Sequence, residues 1–428
     1  MKRAIALLSL AALLLVGCKS TGDSTSSTST TGAASTELGQ GVTADSIKIG
    51  VTYTDLSAIK DIMDLDHGDY ASAFQALADD LNASGGINGR KLEIVQAPVN
   101  PIGTEAGTTT CVQMTEDQKV FAVIGNLQGN VIPCYVTDHD TSVVGGYQSN
   151  EALTEAKAPW FTWYASLERL ATKTIEGAAA EGAFDGKKVA VVSTSFDQPI
   201  VDDAVNPALD AAGVNVVDRA VIDTPDNDAA AANAAAQTIA EKFKSEGVEV
   251  VISVAQTFQP WANGLAQTDF RPRNISTDSN TVSAWRVAKS PEQLQILDDI
   301  IVGGAAPASV WWNEQKFVEC RNAILKQQPD RQIADATTIK TGEHETFVSV
   351  LLACQSMALF QAIAEKAGDT LNNDTFLQAG HDLGVFQVPA VGAESDFTAD
   401  EPSGSPPVYL ATWNTSTETL ESSDTPVS

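Results

Sequence analysis

The sequence predicts an α/β protein made of two doubly wound lobes, and three observations carry that prediction. From residue 46 onward, short apolar runs alternate with amphipathic helical segments, the pattern of βαβ units around largely parallel sheets. The strand-like runs fall into two series, separated by a helical segment at about 167–180. At 428 residues with 43% apolar content, the chain is long enough for more than one packed core.

The elements follow in order. Residues 46–53 (SIKIGVTY) are β-rich and begin the body. In 69–83, Ala73, Leu77 and Leu81 lie four apart with Phe74 beside them, which is helical spacing. Gly85-Gly86 stops that helix, and Asn88-Gly89 turns the chain into a strand at 91–96. Strands continue at 120–125, 141–146 and 159–163. The second series comprises 187–193, 214–222 and 248–254, with helical segments at 198–212 and in the Ala-rich 227–245. After residue 301, helices dominate at about 311–327 and 343–367. A strand at 407–412 then precedes a Ser/Thr/acid-rich tail expected to fray. In open α/β sheets, ligands bind outside the carboxyl ends of the strands.

The N-terminus reads as an address. A basic pair, Lys2-Arg3, precedes an apolar run over 4–16 that is too short to span a bilayer and fits a signal-peptide core. Leu15-Val16-Gly17-Cys18 resembles a bacterial lipobox, which implies cleavage before Cys18 and a lipid on its side chain. Residues 19–40 are Ser/Thr/Gly-rich and read as a flexible tether with a root-mean-square span of roughly 25 Å. The expected location is therefore the outer side of the cell membrane, with that lipid as the only membrane attachment.

Charge narrows the function classes. Lys plus Arg number 26 and Asp plus Glu 55, a net charge of −29. Cutting before Cys18 removes two bases and no acid, leaving 24 against 55, or −31. Such a surface repels phosphate backbones, which excludes nucleic acid as a partner. Apart from Cys18, the cysteines are Cys111, Cys134, Cys320 and Cys354, which allow three pairings. The locally simplest joins Cys111 to Cys134 and Cys320 to Cys354, as suits an oxidising compartment; buried free thiols are the alternative.

The run at 73–95, AFQALADDLNASGGINGRKLEIV, resembles the first helix and second strand of the type I periplasmic binding proteins. More narrowly, it is similar to the leucine/isoleucine/valine-binding branch that serves ABC importers. The later segments FAVIGNLQGNV, SVVGGYQSNEALT, PWFTWYAS, KKVAVVSTSFDQP and VEVVISVAQTFQPW fit the same order, so the resemblance runs from about 47 to 412. It implies two Rossmann-like lobes joined by a three-crossing hinge, the crossings falling near 163–166, 303–306 and 388–392. On that basis 1–17 is a signal peptide and 18–41 the lipidated Cys with its tether. The first lobe is 42–163 plus 304–388, the second 164–303 plus 389–415, and 416–428 is tail.

The resemblance also implies binding loops. Tyr53 and Thr54 end the first strand, and Asn126, Leu127 and Gln128 follow the third. There the family usually places a carboxylate-binding Ser, whereas Gly129 or a neighbour stands in its place here. Tyr147, Gln148 and Ser149 follow the next strand, Ser149 matching a carboxylate-binding hydroxyl of the family. Trp163 adds an apolar face. From the second lobe come Phe196, Asp197, Gln256 and Thr257, and Asp278 falls near the acid that pairs with an α-ammonium. With one hydroxyl anchor missing, an amide, polyol or heterocycle gains ground over an amino acid. Core packing is the alternative for each aromatic residue, and a helix cap or solvated loop is the alternative for Asp197 and Asp278.

Motifs for catalysis are missing. Asp64, Asp66, His67 and Asp69 lack the twelfth-position Glu of a calcium loop, where Gln75 stands. Glu343-His344-Glu345 lacks the second His of a zinc protease helix, and no G-x-S-x-G or phosphate-cradling G-x-x-x-x-G-K-[ST] occurs. The expectation is a monomeric solute receptor, with no metal, cofactor or reaction of its own. It would deliver a small polar molecule to an ABC permease and ATPase complex. A ligand sensor or scaffold on the same fold is the alternative.

Overall fold

The computed structural model describes residues 37–60, 64–101, 105–127, 129–223, 228–286, 289–339 and 343–427. The signal peptide, Cys18 and Gln128 lie outside the described residues. Residues 37–41, the end of the expected tether, are docked: Gly39 N–H donates to the Leu371 carbonyl at 2.8 Å and Asn372 donates to the Glu37 carbonyl at 2.7 Å.

Among the described residues, two principal sheets form. The first contains β1 (Ser46–Thr54), β2 (Lys91–Val99), β3 (Ala122–Gly125), β4 (Ser142–Gly145) and β5 (Trp160–Phe161), in the order β2-β1-β3-β4-β5, all parallel. The second contains β6 (Val189–Thr194), β7 (Val216–Ile222), β8 (Val250–Ser253), β9 (Arg273–Ser276) and β10 (Ile301–Gly304), again parallel. Each sheet is buried on both faces. Ile124 and Val144 join one core while their neighbours Val123 and Val143 join the other. In the second sheet Val251 faces one core and Val250 and Ile252 the opposite one. That is why the central strands β3, β4, β6 and β8 read as short, nearly unbroken apolar runs, whereas the edge strand β7 alternates in burial.

The Gly-Gly-Ile-Asn-Gly-Arg tag proves to be a turn with a docked cation. Ile87 and Arg90 exchange backbone hydrogen bonds of 2.8 and 2.9 Å around Asn88 and Gly89, both at positive φ. Arg90 is buried and donates to the Thr43 and Asp369 carbonyls. A Cβ at Gly86 would lie 1.9 Å from the Arg90 carbonyl oxygen.

Several elements depart from the sequence reading, which assigns no strand to β9 or β10. Residues 384–397 contain a hairpin, β11 (Gly384–Phe386) with β12 (Ser395–Phe397), whose Phe397 enters the first sheet's core together with Val388. The chain therefore rejoins the second sheet only at β13 (Tyr409–Asn414), later than a crossing at 388–392 requires. Strands of three residues are too short to show a period. The tail is paired, not frayed: β14 (Thr419–Ser422) runs antiparallel to β13, giving a seven-stranded order β14-β13-β10-β9-β8-β6-β7. Its donors find acceptors because Trp413 and Leu420 contribute to the second sheet's core. Finally, 343–367 is helical only at Val348–Ala367, and a helix at Asn373–His381 was not read from the sequence. Val348–Ala367 is long and apolar enough to cross a membrane, yet most of it is buried against the helices Tyr70–Ala83 and Asn373–His381.

The described cysteines are bonded as Cys111–Cys134 and Cys320–Cys354. The second bridge ties the helix Gln315–Gln327 to Val348–Ala367.

Candidate ligand cleft

The carboxyl ends of both sheets converge on a cavity of about 280 Å³. Tyr147, from the loop after β4, stacks on Tyr164 at 4.4 Å between ring centroids, and Trp163 lies 5.1 Å from Tyr164. These rings form one wall, and Trp311 also lines the cavity. The second sheet supplies Asp278, directly after β9, and Asn280, whose side-chain amide donates to the Tyr147 hydroxyl. Because β4 and β9 belong to different sheets, this hydrogen bond spans the cleft. The Trp163 indole N–H is buried without a well-aligned acceptor.

Asp278 is the charged group of this cavity. Its Oδ1 accepts the Asn280 N–H at 2.9 Å at the start of the helix Ser279–Arg286. Burial pushes its carboxyl up to about 6, opposed by the Asn280 hydrogen bonds and reinforced by the charge of Asp197. Among the described residues it has no ion-pair partner. Asp197 has a different setting. It is fully buried, and its Oδ2 accepts from Thr194 Oγ1 at 2.8 Å and Thr257 Oγ1 at 3.0 Å. Those bonds brace the carboxyl end of β6 against the segment after β8. Burial raises the Asp197 pKa, and the two hydroxyls partly offset the rise.

A smaller hollow of about 40 Å³ lies at the ends of β1, β2 and β3, lined by Tyr53, Thr54, Asn126 and Leu127. Asn126 Nδ2 donates to Thr54 Oγ1 at 3.0 Å, and Tyr53 stacks on Tyr70 at 5.4 Å. At roughly 30 Å³ per water, it has room for little more than water.

The profile of one family, described as periplasmic binding protein, matches residues 46–418. The chain belongs to that family. Solved structures agree on the fold. An ABC transporter substrate-binding protein from Desulfitobacterium hafniense in complex with Leu is 15% identical, covers 89% of this chain and all of its own, and has a TM-score of 0.59. The branched-chain amino acid transporter substrate-binding protein LivJ from Streptococcus pneumoniae, in complex with isoleucine, is 16% identical (89% of this chain, 99% of its own, TM-score 0.56). A type 1 periplasmic binding protein from Bordetella pertussis is 12% identical (90% and 100%) with a TM-score of 0.62. A search of curated proteins finds no match. The chain has the type I periplasmic binding protein fold: two doubly wound sheets with the cleft between them.

Within this binding-protein frame the expected site residues divide. Tyr147, Trp163 and Asp278 line the large cavity. Tyr53, Thr54, Asn126 and Leu127 line the small hollow. Gln148 is fully buried, its side-chain amide donating to the Trp160 carbonyl at 2.7 Å while its backbone carbonyl accepts the Leu167 N–H. Ser149 caps the helix Asn150–Glu155 by accepting the Ala152 N–H at 3.2 Å. Asp197 and Thr257 bond each other, and Phe196 and Gln256 are exposed, Phe196 at 69%. Sequence reasoning missed Tyr164, Asn280, Trp311 and Gln355. Tyr164 and Asn280 sit within two residues of predicted positions. Trp311 and Gln355 come from helices after residue 301, where no strand end marked them. Glu314 is a further support: its carboxylate accepts the Gly392 N–H at 3.3 Å and holds the loop that brings Ala390 and Val391 to the cavity. Burial raises its pKa against that hydrogen bond.

Proposed function

We propose that this protein captures a small polar solute between its two lobes and delivers it to an ABC importer without altering it. The observation that carries the reading is the 280 Å³ cavity, close to the lower end of the roughly 300–1,000 Å³ range of ligand sites, walled by aromatic rings and facing one buried carboxylate. The D. hafniense and S. pneumoniae relatives, named for amino-acid complexes and ABC transport, support it. The chain works as a lipid-anchored monomer outside the cell membrane, held through Cys18. Solute contacting both lobes favours the closed arrangement that the Tyr147–Asn280 bond already joins, and closure presents both lobe tips to the permease.

The test is thermal unfolding of residues 35–428, which form one compact unit, against amino acids, amides, urea, polyols, nucleosides and amines. A solute at 100 times its Kd adds about 2.7 kcal/mol to stability, a rise of a few degrees. At least one compound raises the midpoint and is recovered unchanged. A panel with no effect, or a hit that returns chemically converted, overturns the reading.

A further inference from the structure

The chemistry of the cavity narrows the solute class. Among the described residues, the one charged side chain lining it is Asp278, a carboxylate without an ion-pair partner, and no Lys, Arg or His lines the space. The nearby Arg169 is not itself a lining residue: its Nε donates at 3.0 Å to the carbonyl of Pro406, which lines the cavity, and its side chain borders a neighbouring hollow. Ser149, the hydroxyl expected to anchor a carboxylate, caps a helix instead. The remaining side-chain donors here are all neutral: two phenols, two amides, the indoles of Trp163 and Trp311, and the Ser279 hydroxyl. A solute carboxylate entering this space would meet Asp278 with no cation among the lining residues to offset the repulsion, whereas a solute cation would find its counter-charge. Tyr147, Trp163, Tyr164 and Trp311 line the same cavity, and aromatic walls attract a desolvated cation through the ring quadrupole. The field of the whole chain, with a net charge of −29, draws cations toward the cleft.

We infer that the solute is an organic cation without a carboxylate, an amine or quaternary ammonium compound, seated with its charge between Asp278 and the Tyr147–Tyr164–Trp163 wall. This rests on the solute-receptor reading above and makes it specific. The titratable neighbours of Asp278 are Asp197, whose charge bears on it, and Tyr147, which remains a neutral phenol because burial raises its pKa further. Cation binding therefore strengthens as pH rises and the Asp278 carboxyl ionises.

Calorimetric titration of residues 35–428 at pH 8 with tetramethylammonium, benzyltrimethylammonium, phenethylamine, L-leucine and acetamide tests this. At least one of the cations binds, L-leucine binds at least tenfold more weakly, and Asp278→Asn weakens the cation about 30-fold or more. For the unmodified protein, the same cation's affinity falls between pH 8 and pH 5, a readout that does not depend on the variant folding. If L-leucine or acetamide binds and the cations do not, the cation class is wrong while the receptor reading stands. If a cation binds equally at pH 5 and 8 and in Asp278→Asn, its charge is not seated on Asp278 and the inference fails. If none of the five compounds binds, the inference fails, and the broader unfolding panel decides whether the receptor reading falls with it.

Discussion

Asp278 shows how a single residue couples stability to binding. Its carboxyl has an ordinary value of 3.8 and stands at about 6 in the fold, so the folded state holds the proton more tightly than the unfolded chain. Stability therefore falls as pH rises from about 4 to about 6, by up to about 3 kcal/mol, and is level above that. Asp278→Asn keeps an acceptor for the Asn280 N–H and removes the charge. The variant should be more stable than the parent at pH 7 and lose most of that advantage at pH 4, as measured by denaturant midpoints at the two values. A variant less stable at pH 7 would show that the buried charge is compensated in the empty protein. The sequence points to this residue only through the family resemblance, since the strand before it, β9, is not read there; in the fold it follows that strand's carboxyl end, where open sheets place ligands. Gln148 and Ser149 end a strand equally well, yet one is drawn into the core and the other caps a helix. Side-chain direction after a strand depends on the next helix start, and a single sequence does not fix it.

At the scale of elements, eight of the ten parallel strands were legible, the most buried of them as apolar runs, whereas β9 (RNIS) and β10 (IVGG) are too short and too poor in large apolar residues to stand out. The first helix was legible because its stops, Gly86 and the Asn88-Gly89 turn, have one conformational reading. The C-terminal strand pair was not. The segment Thr419–Ser422 (TLES) carries one large apolar side chain, and its partner strand decides its fate. Leu420 packs on the second core, and the Val427 N–H donates to the Val408 carbonyl at 2.8 Å. Deleting residues 416–428 should cost about 2 kcal/mol or more, since it uncovers Trp413 and leaves β13 an edge. Thermal unfolding of the truncated chain checks this, and an unchanged midpoint would mean the strand adds nothing to the core. Gly303 makes the same point about packing: a Cβ there would meet the Thr174 hydroxyl at 1.8 Å, so the helix Leu167–Ala180 lies directly on β10.

At the scale of the whole molecule, the two sheets meet at the cavity that Tyr147 and Asp278 line from opposite sides. The family order of segments made the architecture readable. The cavity itself draws on residues from 147 to 407, brought together by chain crossings that leave little trace in local pattern. The central claim is that solute favours closure of one lobe on the other. Asn126 and Gln256, both exposed and on opposite sheets, suit spin labels as Asn126→Cys and Gln256→Cys, because the four native cysteines of residues 35–428 are bonded. Pulsed electron–electron spin resonance on that doubly labelled protein, with and without the solute identified by thermal unfolding, measures the separation directly. The account predicts that saturating solute shortens and narrows the distance distribution. A distribution unmoved by bound solute would contradict it.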